Sequence, residues 1–252
     1  MARPVLQDTS SSLRRALALL DAFSGERREL SVRQLAARSG VTRSTAHRLA
    51  TELVEWGGLE RTPRGLRLGV KLFELGAMAP SPTSLREAAV PYLHTLHEVT
   101  QLTANLAVRE GMDIVYLEKI ATHELRVPHT RMGGRGTMHA TGLGKAILAF
   151  SSDVDLSALA PTMVRLTPRT ITDPATLSDE LSRVRSRRVA YDVEESKEGL
   201  FCVAAPITSR TGTAIGAVSV TGATALAHAG RFAPTVMATA AAISRSLDRE
   251  AA

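Results

Sequence analysis

The run from Ser31 to Arg67, SVRQLAARSGVTRSTAHRLATELVEWGGLERTPRGLR, constrains the fold more than any other stretch of the chain. Ser31 is a good N-cap, and Gln34 stands three residues on, the spacing of a capping box. Val32, Leu35 and Ala36 then mark one face of a short helix. Gly40 follows, where a residue at ease with positive φ closes the turn cheaply. Thr42 caps a second helix whose inward face is Ala46, Leu49, Ala50, Leu53 and Val54. Its outward face leads with Arg43, Ser44, Thr45, His47 and Arg48. Gly57-Gly58 stops it, and two short extended runs flank Pro63-Arg64-Gly65 as a hairpin. Two short helices joined by a glycine turn, the second polar and basic at its leading end, fit a helix-turn-helix with a wing. The partner such a unit implies is duplex DNA; an ordinary helical hairpin is the alternative.

The charge sides with DNA. Residues 1–79 hold 13 Lys and Arg against 8 Asp and Glu, so +5 of the chain's net +6 sits there. Lys and Arg supply most non-specific affinity for DNA by neutralising phosphates. Arg outnumbers Lys throughout, but a general Arg preference does not confine the net excess to one end.

Two domains are the prior for 252 residues. No apolar run reaches the 18 or so residues of a membrane span. The opening MARPVLQDTSSS lacks the apolar region of a signal peptide and reads as a short disordered start. Cys202 is the one cysteine, so no intramolecular disulfide forms. The expectation is a cytoplasmic protein.

Along the chain, a helix from Ser12 to Phe23 places Leu13, Ala16, Leu17 and Leu20 inward. After the wing, Val70–Ala79 has helical periodicity and is ended by Pro80 and Pro82, as a linker helix. The expected boundaries are 1–68 for the DNA-binding domain, 69–83 for the linker and 84–252 for a second domain. That domain opens with a helix from Leu85 to Thr100, with Leu85, Ala89, Leu93 and Leu96 inward and a kink or later start at Pro91. Strands follow at Ala104–Val108 and Ile114–Lys119, with Gly111 at their hairpin turn. Then come a glycine-rich loop over Thr130–Thr137, a helix over Gly142–Phe150 and a polar helix over Pro174–Val189. Strands at Leu200–Ile207 and Ala214–Val220 are joined by Ser209-Arg210-Thr211-Gly212. A helix over Phe232–Leu247 closes the chain. Helices around a largely antiparallel sheet make an α+β domain.

Three blocks resemble the IclR family of bacterial transcriptional regulators: VTRSTAHRLATELVEWGGLER, MHATGLGKAILAF from Met138, and AYDVEESKEGLFCVAAPITSRTGTAIGAVSVTG from Ala190. The last is similar to the family's Asp-x-Glu-Glu, Gly, Ala-Pro-Ile and Ser-x-x-Gly pattern in order. The resemblance covers essentially the whole chain. It implies a GAF-like α/β second domain that binds a small effector, homodimers or homotetramers, and repression or activation at palindromic operators in double-stranded DNA. It implies no cofactor and no enzymatic activity. Two positions depart from the family: Thr137 stands where Pro is common, and Arg188 where Gly is common.

Candidate DNA contacts are Thr42, Arg43, Ser44, Thr45, His47, Arg48 and Arg64. An Arg reaching guanine gives base discrimination, and hydroxyls with free N–H groups at a helix start suit phosphate. Arg48 is also placed to pair with Glu52, and Arg67 is either a groove contact or a solvated strand residue. By the resemblance, the effector site is Gly142, Leu143, Asp192, Leu200, Cys202, Ser219 and Thr221, to which the residues themselves add Thr141 and Met132. A helix start at Thr141–Leu143 favours an anionic group. Ser219 and Thr221, two apart on a strand, put both hydroxyls on one face. Asp192 accepts, or donates if burial keeps it protonated, while Leu200 and Met132 supply an apolar wall. A small organic acid fits. Read without the resemblance, Cys202 is inert packing and Asp192-Glu194-Glu195 a solvated acidic turn. His139 bonds to backbone, and Lys145 caps a carboxylate or faces solvent.

Three rivals are set against this. A thiol triad of Cys202, His139 and Asp192 lacks a nucleophile signature. A metal-responsive regulator would use the Asp192/Cys202 region with Glu194, Glu195 and His139, but no metal-ligand spacing is present. A structural nucleoid protein would need no pocket.

Overall fold

A computed structural model describes residues 11–23, 28–121, 130–224 and 229–250, so the disordered start expected at the N-terminus lies outside the described residues. The chain divides into two compact units, one ending at Thr83 and one beginning at Ser84.

The first unit holds α1 (Ser12–Asp21), α2 (Val32–Ser39), α3 (Arg43–Glu55), the β1–β2 hairpin (Leu59–Thr62, Gly65–Leu68) and α4 (Val70–Ala77). The Ser31 capping box forms in full, and Gly40 closes α2 at φ +72°. Thr42 caps α3 by accepting from Thr45 N–H. Leu35 and Ala36 of α2 pack with Ala46, Leu49 and Ala50 of α3 and with Leu59 and Leu66 of the wing. Leu53 and Val54 are half-buried against this core.

α1 meets expectation in part: Ala16 and Leu20 are half-buried against the core. Its buried side is Ala18 and Leu19, continued by Ala22 and Phe23, while Leu13 is 69% exposed and Leu17 is also exposed. The helix carries two apolar stripes, and the one bearing Leu19 and Phe23 offers more surface to α2 and α3. α4 buries none of its residues. Its exposed side chains include Phe73 at 75% and Met78 at 77%.

α4 ends at Ala77, and α5 (Pro80–Thr100) starts at Pro80, five residues before the expected Leu85. Pro80 and Pro82 therefore open a helix as well as following one. A proline in the first turn forfeits only an N–H that has no intrahelical partner. The helix also runs through Pro91, with no later start.

The second unit is built on a six-stranded, wholly antiparallel sheet in the order β5-β4-β3-β8-β7-β6. These strands are β3 (Thr103–Glu110), β4 (Asp113–Ile120), β5 (Arg135–Thr137), β6 (Ala190–Val193), β7 (Leu200–Thr208) and β8 (Ala214–Ala223). Two of them, β5 and β6, were not expected: one lies within the glycine-rich loop and the other within the acidic block. Between the strands run α6 (Gly142–Ala149), α7 (Leu156–Leu159) and α8 (Pro174–Arg187), and α9 (Ala233–Glu250) closes the unit. One sheet face packs Leu106, Val203, Val218 and Val220 against Leu85, Ala89, Leu93 and Leu96 of α5 and Val236, Ala240 and Ile243 of α9. The other packs Ala107, Cys202, Ala204 and Ala217 against α6 and the Leu177, Leu181 and Val184 stripe of α8. Alternate residues along each buried strand thus serve two separate cores.

α8 ends at Arg188 in the left-handed conformation, φ +57°. This is the position where the resembled family commonly carries Gly. The backbone shape asks for glycine, and here an arginine adopts it, with its guanidinium over the Phe150 ring.

Candidate functional site

In the first unit, the leading end of α3 is open to solvent. Arg43, Ser44, His47 and Arg48 are exposed, and Thr45 is half-buried. The Thr42 hydroxyl is spent on capping: it accepts from Thr45 N–H at 3.3 Å and donates to Thr45 Oγ1 at 2.8 Å. Ala46 N–H is taken by Thr42 O. The backbone N–H groups of Arg43 and Ser44 remain as the free donors of this helix start.

The arginines here divide into two kinds. Arg48 pairs with Glu52 at 2.6 Å on the same helix face. Arg67 makes a two-pronged pair with Glu60 across the wing, at 2.9 and 2.6 Å, which holds the Glu60 carboxyl below its ordinary range. Arg43 and Arg64 are exposed, and among the described residues neither makes a side-chain pair. Exposed pairs of this kind are worth little and exchange readily for phosphate.

In the second unit, the expected effector residues fall largely into one group on the α6 side of the sheet. Asp192, Cys202 and Thr221 lie side by side across β6, β7 and β8. Ser219 pairs with Ala204 on one side and with Asn105 of β3 on the other. Thr141 caps α6, accepting from Gly144 N–H at 3.0 Å and donating to Thr137 O at 2.7 Å. Gly142, next in line, lies close over Cys202: a Cβ placed there would stand 3.0 Å from the Cys202 sulfur. Leu143 is buried in the same core, and half-buried Leu200 lies two residues from Cys202 on the same strand. Met132 is not brought in. It is 56% exposed, on the turn before β5.

Three features were missed or undervalued in the sequence. Tyr116 pairs with Ala107 in the regular register and faces the α6 side with Ile114, while Leu117, where the β3–β4 pairing bulges, packs on the other. The Tyr116 hydroxyl feels the Cys202 and Asp192 charges, and its burial holds the proton on well above the ordinary value. Asn105, fully buried, reaches Ser219 Oγ at 3.4 Å and Thr221 Oγ1 at 3.3 Å. Lys145, only 1% exposed, pairs with Glu195 at 2.5 Å. Alternation could have flagged Asn105 as a polar residue on a buried strand, and Tyr116 as sharing a face with Ile114.

Asp192 has a role the acidic spacing did not disclose. Its Oδ1 accepts from Glu195 and Ser196 N–H at 2.8 and 3.2 Å, and its Oδ2 from the Ser196 hydroxyl at 2.5 Å. It ties the turn that carries Glu195 onto Lys145. Burial pushes the Asp192 carboxyl up, and these three donors pull it back down. Burial likewise lifts Glu195 to about 7, against the pull of Lys145. The block is thus a buried, tied turn and not a solvated one.

Cys202 is pushed up to about 11 by burial and the Asp192 charge, with the Ser219 and Thr221 hydroxyls opposing. It is a thiol at neutral pH. His139 donates its Nε2–H to Val164 O at 3.1 Å, and burial lowers its basicity. Among the described residues no hydrogen bond joins His139 to Cys202, so the thiol triad is not assembled. Nor is there, among the described residues, a group of three or more His, Cys, Asp or Glu able to hold a metal. The metal-responsive alternative finds no ligand set among the described residues. No helix of the described residues is long and apolar enough to cross a membrane.

Comparison with known proteins agrees with this geometry. Residues 12–63 match the family model described as IclR helix-turn-helix domain. Residues 78–245 match the one described as Bacterial transcriptional regulator IclR C-terminal. The chain is 36% identical to the HTH-type transcriptional regulator BhcR of Paracoccus denitrificans over 84% of its length and 77% of that protein. It is 31% identical to the HTH-type transcriptional regulator XynR of Escherichia coli over 86% of each. An IclR homologue from Microbacterium hydrocarbonoxydans, solved in complex with 4-hydroxybenzoate, superposes with a TM-score of 0.87 at 27% identity, over 95% of this chain and all of that one.

Proposed function

The chain belongs to the IclR family of bacterial transcriptional regulators, and from that premise we propose that a small organic acid, held by the buried group on the α6 side of the sheet, sets its affinity for a palindromic operator. The observation that carries this is the convergence of Ser219, Thr221 and the start of α6 in one buried place. Hydroxyls and helix-start N–H groups are donors, and donors of this kind suit a carboxylate. The relative bound to 4-hydroxybenzoate supports an acid of this class.

On the DNA side, Arg43, Ser44, His47 and Arg64 reach the duplex directly, with Arg43 at base edges or phosphate. Thr42 and Thr45 act by fixing the start of α3, and Arg48 contacts phosphate by exchanging Glu52 for it. The exposed apolar side chains of α1 and α4, Leu13, Leu17, Phe73 and Met78 among them, support association as a homodimer or homotetramer. Two half-sites then require two heads, and the residues from 69 to 83 serve as the linker through which occupancy of the second domain alters their fit. A coupling of about 1–3 kcal/mol suffices.

The test is operator binding by the full chain with and without a panel of small carboxylic acids, with melting temperature read in parallel. An acid that raises the melting temperature and changes operator affinity supports the reading. Acids that bind without altering operator affinity sink it, as does a panel that binds nowhere.

A further inference from the structure

Asn105 occupies the middle of the sheet, on β3 beside β8, and is fully buried. Its carboxamide nitrogen faces three oxygens: Ser219 Oγ, Thr221 Oγ1 and, at 3.5 Å, Thr103 O. A backbone carbonyl can only accept, so the nitrogen belongs on that side. The other polar atom, Oδ1, is buried and has no hydrogen-bond partner. Folded chains seldom leave an amide oxygen unpaired in the interior, because its hydration has been given up for nothing.

The neighbours of Asn105 make this more than a packing fault. Ser219 and Thr221 accept from its nitrogen, so each keeps its own O–H to donate. Their hydroxyls lie within reach of the Cys202 sulfur, a weak acceptor that a carboxylate would outcompete. Cys202 in turn lies under Gly142 at the start of α6. Donors for an anion and an orphan acceptor therefore share a buried neighbourhood. The complement of that pattern is a molecule with a carboxylate and a hydroxyl.

We infer that Asn105 Oδ1 accepts a hydrogen bond from a hydroxyl of the effector, which makes the ligand a small hydroxy acid. The inference rests on the effector reading above and adds which acids the site prefers. A site that holds out an acceptor discriminates strongly against an analogue lacking the donor, since its own polar atom is then left unpaired.

The experiment is titration of the full-length protein with matched pairs: lactate and propionate, 3-hydroxybutyrate and butyrate, 4-hydroxybenzoate and benzoate. At least one hydroxylated acid is expected to half-saturate at a concentration about tenfold or more below its partner. Asn105→Ala should cut that advantage to about threefold or less while the unsubstituted acid still binds, the loss expected of a single hydrogen bond. If the variant does not fold, discrimination within the wild-type pairs decides the matter alone. Pairs that bind equally in the wild type, as when water already satisfies Oδ1, overturn this inference and leave the effector reading standing. So does an advantage that persists in Asn105→Ala. Failure of every acid to bind removes both.

Discussion

Lys145 and Glu195, fifty residues apart in sequence, meet at 2.5 Å with the lysine almost wholly sealed from solvent. The pair joins the first turns of α6 to the turn after β6, and only one of the two glutamate oxygens is used. Glu195 Oε2 is buried without a partner.

That arrangement sets a pH dependence. Burial lifts the Glu195 carboxyl from its ordinary 4.5 to about 7, so the folded chain holds this proton more tightly than the unfolded chain does. The contribution to stability is full below about pH 4.5 and is lost as pH rises through 7. Asp192 is shifted in the same direction and adds to the same trend. Glu195→Gln should flatten the decline between 4.5 and 7 in urea unfolding measured across pH. A slope equal to the wild type would show that Glu195 does not titrate there. Lys145→Met should cost about 3 kcal/mol by leaving a buried carboxylate unpaired, and adding Glu195→Gln should restore part of the loss.

Two glycine-to-alanine changes should move stability in opposite directions. A Cβ at Gly144 would stand 2.3 Å from Met138 O, where backbone meets backbone and nothing can yield. Gly144→Ala should cost about 1–3 kcal/mol through overpacking. At Gly76, inside α4, a Cβ meets nothing within 4 Å, so Gly76→Ala should gain about 0.5–1 kcal/mol from reduced backbone freedom in the unfolded chain. Denaturant midpoints for both variants give the comparison. Equal effects would mean that the close approach of α6 to Met138 is not maintained in solution.

Arg43→Ala should weaken operator binding by about 1–3 kcal/mol and relax base preference at one position of each half-site. Arg67→Ala, which removes an arginine already held by Glu60, should cost less. Fluorescence anisotropy at one fixed salt concentration separates them. The opposite ranking would move the recognition surface from α3 to the wing.

Thr221→Val keeps the shape of the side chain and deletes its hydroxyl. It should weaken effector binding at least about fivefold, the loss of roughly one hydrogen bond, and leave effector-free operator binding as it was. Calorimetric titration with any acid that the wild type binds measures the first and anisotropy the second. An unaltered effector constant removes Thr221 from the site.

The first unit was legible because its signals are local. The Ser31–Gln34 box, Gly40 and the Thr42 cap each depend on residues within a turn of one another, and each forms as read. The second unit was legible where periodicity is strong, as in the Leu177, Leu181, Val184 stripe. α1 was read only in part, Ala16 and Leu20 but not Leu13 and Leu17, because its sequence carries two apolar stripes, and which one is buried depends on what α2 and α3 present. The short strands β5 and β6 were missed because three or four residues hold too little alternation to announce a strand. The candidate site was legible through the resemblance more than through the residues. The partner of Lys145 is a long-range fact, the turn tied by Asp192 left no mark in the acidic spacing, and the bulge after Tyr116 shifts the later residues of β4 by one place.

The same two short strands have a bearing on self-association. β5 and β6 are the borders of the six-stranded sheet and offer three and four residues of backbone. A border that brief is a poor template for a foreign strand, which is how many natural sheets avoid growing into fibrils. Copies of this unit would meet such backbone only in short runs: β5, β6 and the parts of β4 and β7 that these two leave uncovered. Recognition between copies would then fall to side chains, which selection can tune one residue at a time.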